Sequence, residues 1–267
     1  MSLAVNGTEL WYVDRGAGLP LLLVHGFPLD HSMWTGQIDA LPGQGLTGCR
    51  VIAPDLRGFG RSRVGDDKVT MDQFADDLAA LVDGLAIREP VVFCGLSMGG
   101  YIAFQFWRKY ASRLRGLILC DTRAAADTPE VVAGRHSMAE RVLAEGPAPL
   151  VDTMLPKLFA ETTRRQRSSV VERLRSVMMA NDPRGIAAAA RGMAERPDMT
   201  SALGQIRCPT LVIVGQSDVI STPTEMRGIA EAIPGATFVE IPAAGHMSPL
   251  ENAIAVDAAI VEFLSTL

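Results

Sequence analysis

Six short apolar runs recur along the chain, and most of them are continuous rather than alternating. They are LPLLLVHG (19–26), CRVIAPD (49–55), VVFCG (91–95), GLILCD (116–121), TLVIVG (210–215) and TFVEIP (237–242). A strand with one solvated face alternates apolar and polar residues, whereas a parallel strand covered on both faces is apolar throughout. The runs therefore predict buried parallel strands.

Helical spacing occurs in two of the intervals between these runs and after the last run, and each of these predicted helices has a marked start. The starts read as capping boxes, a hydroxyl followed three residues later by Glu or Gln: Thr70 with Gln73, Thr222 with Glu225, and Ser248 with Glu251. Proline follows the hydroxyl in the second and third, at the first helical position. Strands that alternate with helices predict an α/β fold in which right-handed crossovers cover a mostly parallel sheet.

The alternation stops between residues 124 and 207, which read as polar helices without a strand candidate. Because predicted sheet strands flank this stretch, we interpret it as a helical cap inserted into the fold. The predicted organisation is a core in two parts, residues 1–123 and 208–267, with the cap at 124–207. The TTRRQRSS run (162–169) is interpreted as a solvated helix face rather than an anion site.

Composition narrows the classes of partner. The chain has 267 residues, 48% of them hydrophobic, and a formal charge of -5, which predicts neither a nucleic-acid partner nor a membrane partner. The start lacks the pattern of a secretory signal, and the four cysteines form no CxxC pair, so we expect reduced thiols and a cytoplasmic protein. The four histidines show no metal-ligand spacing, and no metal is expected. No oligomeric state is predicted.

The segment Gly95-Leu96-Ser97-Met98-Gly99 lies where an apolar run passes into helical spacing. It fits GxSxG, in which a serine occupies a strained strand-to-helix turn and the glycines let the two backbones pass closely. This pattern predicts Ser97 as a nucleophile at the carboxyl edge of the sheet.

A serine hydroxyl needs a base, and that base needs an orienting group. Asp218 follows the run at 210–215, and His246 follows the run at 237–242, so both are expected at the same edge as Ser97. We assign His246 as general base and acid and Asp218 as the acid that orients it. Asp121 also closes a strand-like run and is the alternative for the acid.

Acyl transfer further requires donors for the developing oxyanion. The backbone N–H of Met98 is one candidate. The loop after the first run supplies the other, assigned to Phe27, because Pro28 has no N–H. His25 is interpreted as a structural hydrogen-bonding residue of this loop.

The motifs HGFP, DLRGFGRS, GLSMGG, GQSD and GHMSPLE together resemble the α/β-hydrolase superfamily. The resemblance covers nearly the whole chain and implies an eight-stranded, mostly parallel sheet, a helical cap after the sixth strand, a Ser97-His246-Asp218 triad and no cofactor. With Phe27, Met98 and Trp34, the chain is similar to the branch that contains arylesterases, enol-lactonases and cofactor-free haloperoxidases or perhydrolases. Ser97 excludes the dehalogenase relatives, which need an aspartate nucleophile.

These observations predict a serine hydrolase that cleaves a small-molecule carboxylic ester or lactone through an acyl-enzyme on Ser97. The residues considered for a substrate pocket are Trp34, Met154, Leu155, Phe159, Met178, Met179 and Met247. Packing between cap and core is the alternative reading of the cap residues among them. Three other functions stay open: perhydrolysis with peroxide, carbon–carbon bond hydrolysis, and ligand reception without turnover.

Overall fold

The computed structural model describes residues 1–43 and 48–267, and a sheet of eight strands lies at its centre. The strands are β1 (Ser2–Val5), β2 (Thr8–Gly16), β3 (Leu19–Val24), β4 (Cys49–Pro54), β5 (Val91–Leu96), β6 (Leu114–Cys120), β7 (Thr210–Gly215) and β8 (Thr237–Ile241). Their order is β1-β2-β4-β3-β5-β6-β7-β8. Strand β2 runs antiparallel to β1 and β4, and the other pairs are parallel. The mostly parallel eight-stranded sheet is confirmed.

Helices fill the connections between the strands. They are α1 (Thr35–Ala40), α2 (Met71–Gly84), α3 (Met98–Tyr110), α4 (Pro129–Glu145), α5 (Ala148–Leu158), α6 (Glu161–Gln166), α7 (Ser168–Ala180), α8 (Pro183–Ala194), α9 (Pro223–Ala232), α10 (Ser248–Glu251) and α11 (Ala253–Ser265). The stretch between β6 and β7 holds α4 to α8 and contains no strand in this described part of the chain. None of the described helices is both long and apolar enough to cross a membrane.

The central strands are apolar throughout because each of their faces is covered. On β3, Leu22 and Val24 join one hydrophobic cluster, while Leu21 and Leu23 join the other. The same alternation holds on β5, β6 and β7, whose residues divide between the two clusters. Continuous runs in the sequence therefore correspond to two-sided burial, as expected for parallel strands.

Strands β1 and β2 lie outside the six runs and were not predicted from the apolar pattern. Strand β2 alternates between buried and more exposed positions from Thr8 to Tyr12, and two of the four residues of β1 are exposed. These strands form the antiparallel edge of the sheet, where only one face needs apolar residues. In a single sequence, a short run that alternates apolar and polar residues is weaker evidence for a strand than a continuous apolar run.

Two of the three predicted capping hydroxyls, those of Thr70 and Thr222, cap a helix, and the third, that of Ser248, does not. The hydroxyls of Thr70 and Thr222 accept the N–H of the residue three positions on, at the starts of α2 and α9. The Ser248 box begins only the four-residue α10, without a side-chain cap. The reason is that the side chains of Ser248 and Glu251 are engaged in tertiary hydrogen bonds instead. Helix α11 begins later, with the side chain of Asn252 as its cap.

Candidate active site

Ser97 lies at the turn between β5 and α3 with φ 53° and ψ −110°, a conformation that is rare for a residue with a side chain. It occupies the cap position of α3, yet its side chain makes no capping hydrogen bond. Its backbone N–H donates to the Cys120 carbonyl at 2.9 Å, and its carbonyl accepts the Thr122 hydroxyl at 2.7 Å. The backbone of this half-buried serine is therefore fixed while its hydroxyl is left available.

Glycines on either side of the serine permit this turn. A Cβ on Gly95 would lie 2.3 Å from the Gly99 carbonyl, and a Cβ on Gly99 would lie 2.4 Å from the Val24 carbonyl oxygen. Both distances are too short for any side chain, and the opposing atoms are backbone. The elbow therefore requires glycine at both positions so that β5, α3 and the end of β3 can pack together.

His246 and Asp218 form a buried pair on neighbouring loops. His246 Nδ1 lies 2.8 Å from Asp218 Oδ2, and the two residues are 2% and 4% exposed. The other carboxylate oxygen, Oδ1, accepts the N–H of Ile220 at 2.7 Å and of Ser221 at 3.1 Å. Since a carboxylate at Nδ1 holds the proton there, Nε2 is left as the basic nitrogen. Within the described residues no hydrogen bond joins the Ser97 hydroxyl to this pair.

The alternative acid, Asp121, has other partners. Its Oδ1 accepts the N–H of Gly215 at 2.8 Å, and its Oδ2 lies 2.5 Å from the Ser248 hydroxyl. Burial raises the pKa of Asp121 well above its usual value, and the nearby Asp218 acts in the same direction. His246 is therefore oriented by Asp218 and not by Asp121.

The loop expected to supply the second oxyanion donor packs directly on the elbow. A Cβ on Gly26 would lie 2.9 Å from the Leu96 side chain and 3.5 Å from Ser97 Cβ. Met98 is the first residue of α3, so its N–H has no acceptor within the helix. In the described turns and loops, neither Phe27 nor Met98 donates its N–H to a backbone acceptor. Both N–H groups are thus free for another acceptor.

His25 holds the same loop in place through both of its ring nitrogens. Nδ1 lies 2.9 Å from the Gly26 carbonyl oxygen, and Nε2 accepts the N–H of Leu56 at 3.0 Å. Burial lowers the pKa of His25, which favours the neutral ring. Because Nε2 accepts a hydrogen bond, the ring proton lies on Nδ1, which donates it to the Gly26 carbonyl oxygen. This matches the structural role expected for His25.

Most of the residues considered for a pocket lie in the interior. Five of them are buried in a single cluster with one face of the sheet: Trp34, Leu155, Phe159, Met178 and Met247. Phe27 and Met98 belong to the cluster on the other face. Met154 is partly buried, and Met179 is 39% exposed. Burial of the cap residues Leu155, Phe159 and Met178 in this cluster agrees with the alternative reading, packing between cap and core, whereas the side chain of Met179 lies at the surface.

Two polar residues that the sequence did not single out for the site connect α5–α8 to its loops. Glu251 accepts the N–H of Gly245 at 2.7 Å and of Ala160 at 2.9 Å. Asn181 donates to the Pro28 carbonyl at 3.0 Å and accepts the N–H of Gly60 at 2.7 Å. Apart from Gly245, which is six residues from Glu251, these partners are about 90 to 150 residues away in the sequence, so no local pattern indicates the contacts.

A cluster of side chains and a cavity lie outside the set formed by Ser97, Asp218 and His246. In the described residues the acidic and histidine side chains that come close enough to share a metal ion are Asp30, His31 and Asp55. Asp55 is already hydrogen-bonded to His31 and to the N–H of Arg61, so its oxygens are occupied. A cavity of about 690 Å³, lined by Gly18, Pro90 and Arg115 among others, lies at the amino ends of β3, β5 and β6. It is therefore at the opposite edge from Ser97.

The chain is similar to known proteins over nearly its whole length. Residues 20–253 match the family described as alpha/beta hydrolase fold. A thermophilic esterase from Thermogutta terrifontis, solved with malate bound, is 50% identical with a TM-score of 0.95, covering 99% of this chain and 96% of the esterase. The enol-lactonase from Burkholderia xenovorans LB400 is 33% identical with a TM-score of 0.91, covering 99% and 100%.

A curated relative agrees with the structural neighbours. The 3-oxoadipate enol-lactonase 1 of Acinetobacter baylyi is 30% identical over 252 residues, which are 94% of this chain and 88% of that protein. With the family match spanning most of the sequence, the conclusion is plain: this chain belongs to the α/β-hydrolase fold family.

Proposed function

We propose that this protein is a serine hydrolase that cleaves a carboxylic ester or lactone of a small, rather apolar acyl compound. The observation that carries the proposal is the buried hydrogen bond between His246 and Asp218, on loops at the same sheet edge as the strained Ser97. Similarity to an esterase and to enol-lactonases supports the same class of substrate.

In the first half of the reaction the Ser97 hydroxyl attacks the carbonyl carbon of the ester. His246 Nε2 takes the hydroxyl proton, and Asp218 stabilises the resulting imidazolium. The N–H groups of Phe27 and Met98 bind the oxyanion of the tetrahedral intermediate. His246 then gives its proton to the leaving alcohol, and the acyl group stays on Ser97.

In the second half a water molecule replaces the alcohol. His246 removes a proton from the water, the hydroxide attacks the acyl-enzyme, and the carboxylic acid leaves as Ser97 regains its proton. For a lactone, the alcohol and the acid are parts of one molecule, so the product is a hydroxy acid. No step requires a cofactor.

Hydrolysis of p-nitrophenyl acetate and butyrate tests this proposal, with the wild type compared with Ser97→Ala and with Ser169→Ala, an exposed serine as control. We expect turnover by the wild type and by the control, loss of turnover in Ser97→Ala, and labelling of Ser97 by a serine-directed phosphonate. Turnover that persists in Ser97→Ala would overturn the assignment of the nucleophile.

The alternative functions give different results in the same assay. Label on Ser97 without ester turnover favours carbon–carbon bond cleavage or lactone chemistry, which a substrate panel separates. Absence of both label and turnover favours a receptor. Peracid formation from acetate and peroxide distinguishes a perhydrolase.

A further inference from the structure

Asn181 lies at the junction between α7 and α8, and its side chain joins three separate segments. The residue is 4% exposed. Its amide oxygen accepts the N–H of Gly60 at 2.7 Å. Its NH₂ group donates to the Pro28 carbonyl at 3.0 Å and to the Val177 carbonyl at 3.1 Å. One amide therefore links the loop after β3, the loop after β4 and the last turns of α7.

The partners of Asn181 fix the orientation of its amide. With the oxygen and nitrogen exchanged, the NH₂ group would face the N–H of Gly60 and the oxygen would face two carbonyls, so all three hydrogen bonds would be lost. An ionised carboxylate accepts but does not donate, and an aliphatic side chain does neither. The amide is therefore the group that suits these three partners.

The helix that follows Asn181 is packed backbone to backbone on the core. A Cβ on Gly185 would lie 1.9 Å from the Gly58 carbonyl oxygen, and a Cβ on Gly192 would lie 1.7 Å from the Val69 carbonyl oxygen. Only glycine permits contacts this close, and they join α8 to the segment between β4 and α2. Asn181, two residues before the start of α8, is therefore held at a fixed place above the core loops.

The Pro28 carbonyl belongs to the turn that carries the assigned oxyanion donor, the N–H of Phe27. In this turn the Gly26 carbonyl accepts the N–H of Leu29 at 3.0 Å and lies 2.9 Å from Nδ1 of His25. Because a peptide group is planar, the Gly26 carbonyl and the Phe27 N–H point in opposite directions and rotate together. The core fixes the turn at Gly26, and the helical segment fixes it at Pro28.

We propose that Asn181 is a positioning residue for the oxyanion site: by holding the Pro28 carbonyl, it keeps the Phe27 N–H directed at the oxyanion that forms beside Ser97. The inference rests on the proposed function, since it concerns the same site. Asn181 acts through the turn and not on the reacting atoms. The segment between β6 and β7 thereby contributes to catalysis as a fixed support.

Loss of this amide has a consequence for the transition state in particular. The Pro28 carbonyl would remain buried without a donor, which costs free energy, so the turn would shift until the carbonyl found another partner. The Phe27 N–H would move with it. Since the oxyanion is present in the transition state and absent from the bound ester, kcat should fall while KM changes little.

Asn181→Leu tests this because leucine keeps the approximate shape and removes the hydrogen bonds. We expect kcat for p-nitrophenyl butyrate to fall roughly 10- to 100-fold and KM to stay within about twofold of the wild type. The matched control is Asp182→Ala, which removes the hydrogen bond that caps the start of α8, to the N–H of Arg184. Its kcat should stay within about twofold of the wild type. An equal loss in Asp182→Ala would overturn the inference, because general loosening of α8 would then explain both.

Binding of butyl trifluoromethyl ketone, followed by fluorine NMR, reports on the oxyanion site without turnover. The Ser97 oxygen adds to the carbonyl carbon, its proton passes to His246, and the carbonyl oxygen becomes an oxyanion. We expect the dissociation constant of this adduct to rise in Asn181→Leu by about the factor by which kcat/KM falls. It should be unchanged in Asp182→Ala, and Ser97→Ala should form no adduct.

The ketone also separates the two proposals. An adduct that is equally tight in Asn181→Leu and the wild type would refute the role of Asn181 and leave the nucleophile established. Absence of an adduct in the wild type would overturn the proposed function, and the inference with it. If circular dichroism shows that Asn181→Leu is unfolded, Asn181→Asp decides, since it can still accept the N–H of Gly60. At about pH 9 its ionised carboxylate cannot donate to Pro28, so wild-type affinity for the ketone there would refute the inference.

Discussion

The imidazole of His246 is hydrogen-bonded to the carboxylate of Asp218 at 2.8 Å, in a site where both residues are almost completely buried. Two backbone N–H groups hold the other oxygen of that carboxylate, so Asp218 is fixed before it orients the histidine. A substitution that keeps the shape of Asp218 and removes its charge is therefore informative.

In Asp218→Asn we expect kcat for p-nitrophenyl butyrate to fall roughly 10³- to 10⁴-fold, because an amide does not fix the required tautomer or stabilise the imidazolium. KM and the thermal midpoint should change little. Steady-state kinetics checks this, with Asp152→Asn as a control for the same chemical change on an exposed side chain. Residual kcat within tenfold of the wild type would show that another carboxyl orients His246.

The close approach of Gly99 to β3 gives a second prediction. Gly99→Ala places a methyl group 2.4 Å from the Val24 carbonyl oxygen, so the elbow must shift. We expect a loss of about 1 to 3 kcal/mol in the free energy of unfolding and roughly a 100-fold drop in kcat, since Ser97 and the Met98 N–H both move.

Urea denaturation and ester turnover measure the two effects of Gly99→Ala. The matched control is Gly134→Ala in α4, where, apart from the neighbouring residues and the helix's own backbone, no described atom lies within 4 Å of the added methyl. That change should stabilise the protein by up to about 1 kcal/mol because alanine favours the helix. Wild-type stability and kcat in Gly99→Ala would contradict the steric argument.

Glu251 connects the His246 loop to the segment between α5 and α6. Glu251→Ala leaves the N–H groups of Gly245 and Ala160 without their acceptor, and we expect a loss of about 3 kcal/mol in unfolding free energy. Glu251→Gln should lie between it and the wild type, because one acceptor oxygen remains. Equilibrium urea denaturation tests the order, with the exposed Glu262→Ala as control; a change below about 0.5 kcal/mol in Glu251→Ala would refute it.

The buried thiols give a chemical test of the core. Cys94 and Cys120 are fully buried with their sulfurs 3.9 Å apart, and the hydrogen bond to Cys94 and burial both raise the pKa of the Cys120 thiol. Burial also raises the pKa of Cys49 to about 11. Because the thiolate is the reactive form, we expect these three to resist a disulfide reagent in the native protein and all four to react in denaturant. Rapid native labelling of Cys94 or Cys120, found by peptide mapping, would be the contrary result.

Lowering the pH should reduce the stability that Asp127 contributes in the segment between β6 and β7. Burial alone would raise the pKa of Asp127, but hydrogen bonds and ion pairs with Arg135 and Arg196 outweigh it and lower the pKa below the usual value. A carboxylate whose pKa is lower in the folded state stabilises the protein fully above its unfolded pKa of about 3.9, and this contribution is lost as the pH falls through the folded value.

The comparison that isolates this effect is the wild type against Asp127→Asn, by urea denaturation from pH 7 down to pH 3. The wild type should be more stable at pH 7, and its advantage should shrink toward pH 3. An advantage that stays constant across this range would exclude the ionisation of Asp127 as its source.

The sequence alone determined the parts of the fold that depend on local pattern. Apolar runs indicated the strands from β3 to β8, and the runs of the central strands β3, β5, β6 and β7 are mainly apolar because both faces are covered. Thr70 and Thr222 marked helix starts through contacts three residues away. The GxSxG spacing around Ser97 indicated a strained turn, because only glycine permits so close a backbone approach.

Tertiary structure decided everything that depends on contacts between distant residues. Asp218 and Asp121 both follow buried strands. The packing of the loops decides that Asp218 is hydrogen-bonded to His246 and that Asp121 is hydrogen-bonded to Ser248. Ser248 and Glu251 carry a local capping pattern, yet the Ser248 hydroxyl is bonded to Asp121 and Glu251 accepts the N–H of Ala160, and α10 ends after four residues. The free energy gained from a capping hydrogen bond is smaller than the cost of leaving a buried carboxyl or N–H group without a partner. Which of these groups is buried depends on the tertiary structure, so the sequence alone does not show which hydrogen bond forms.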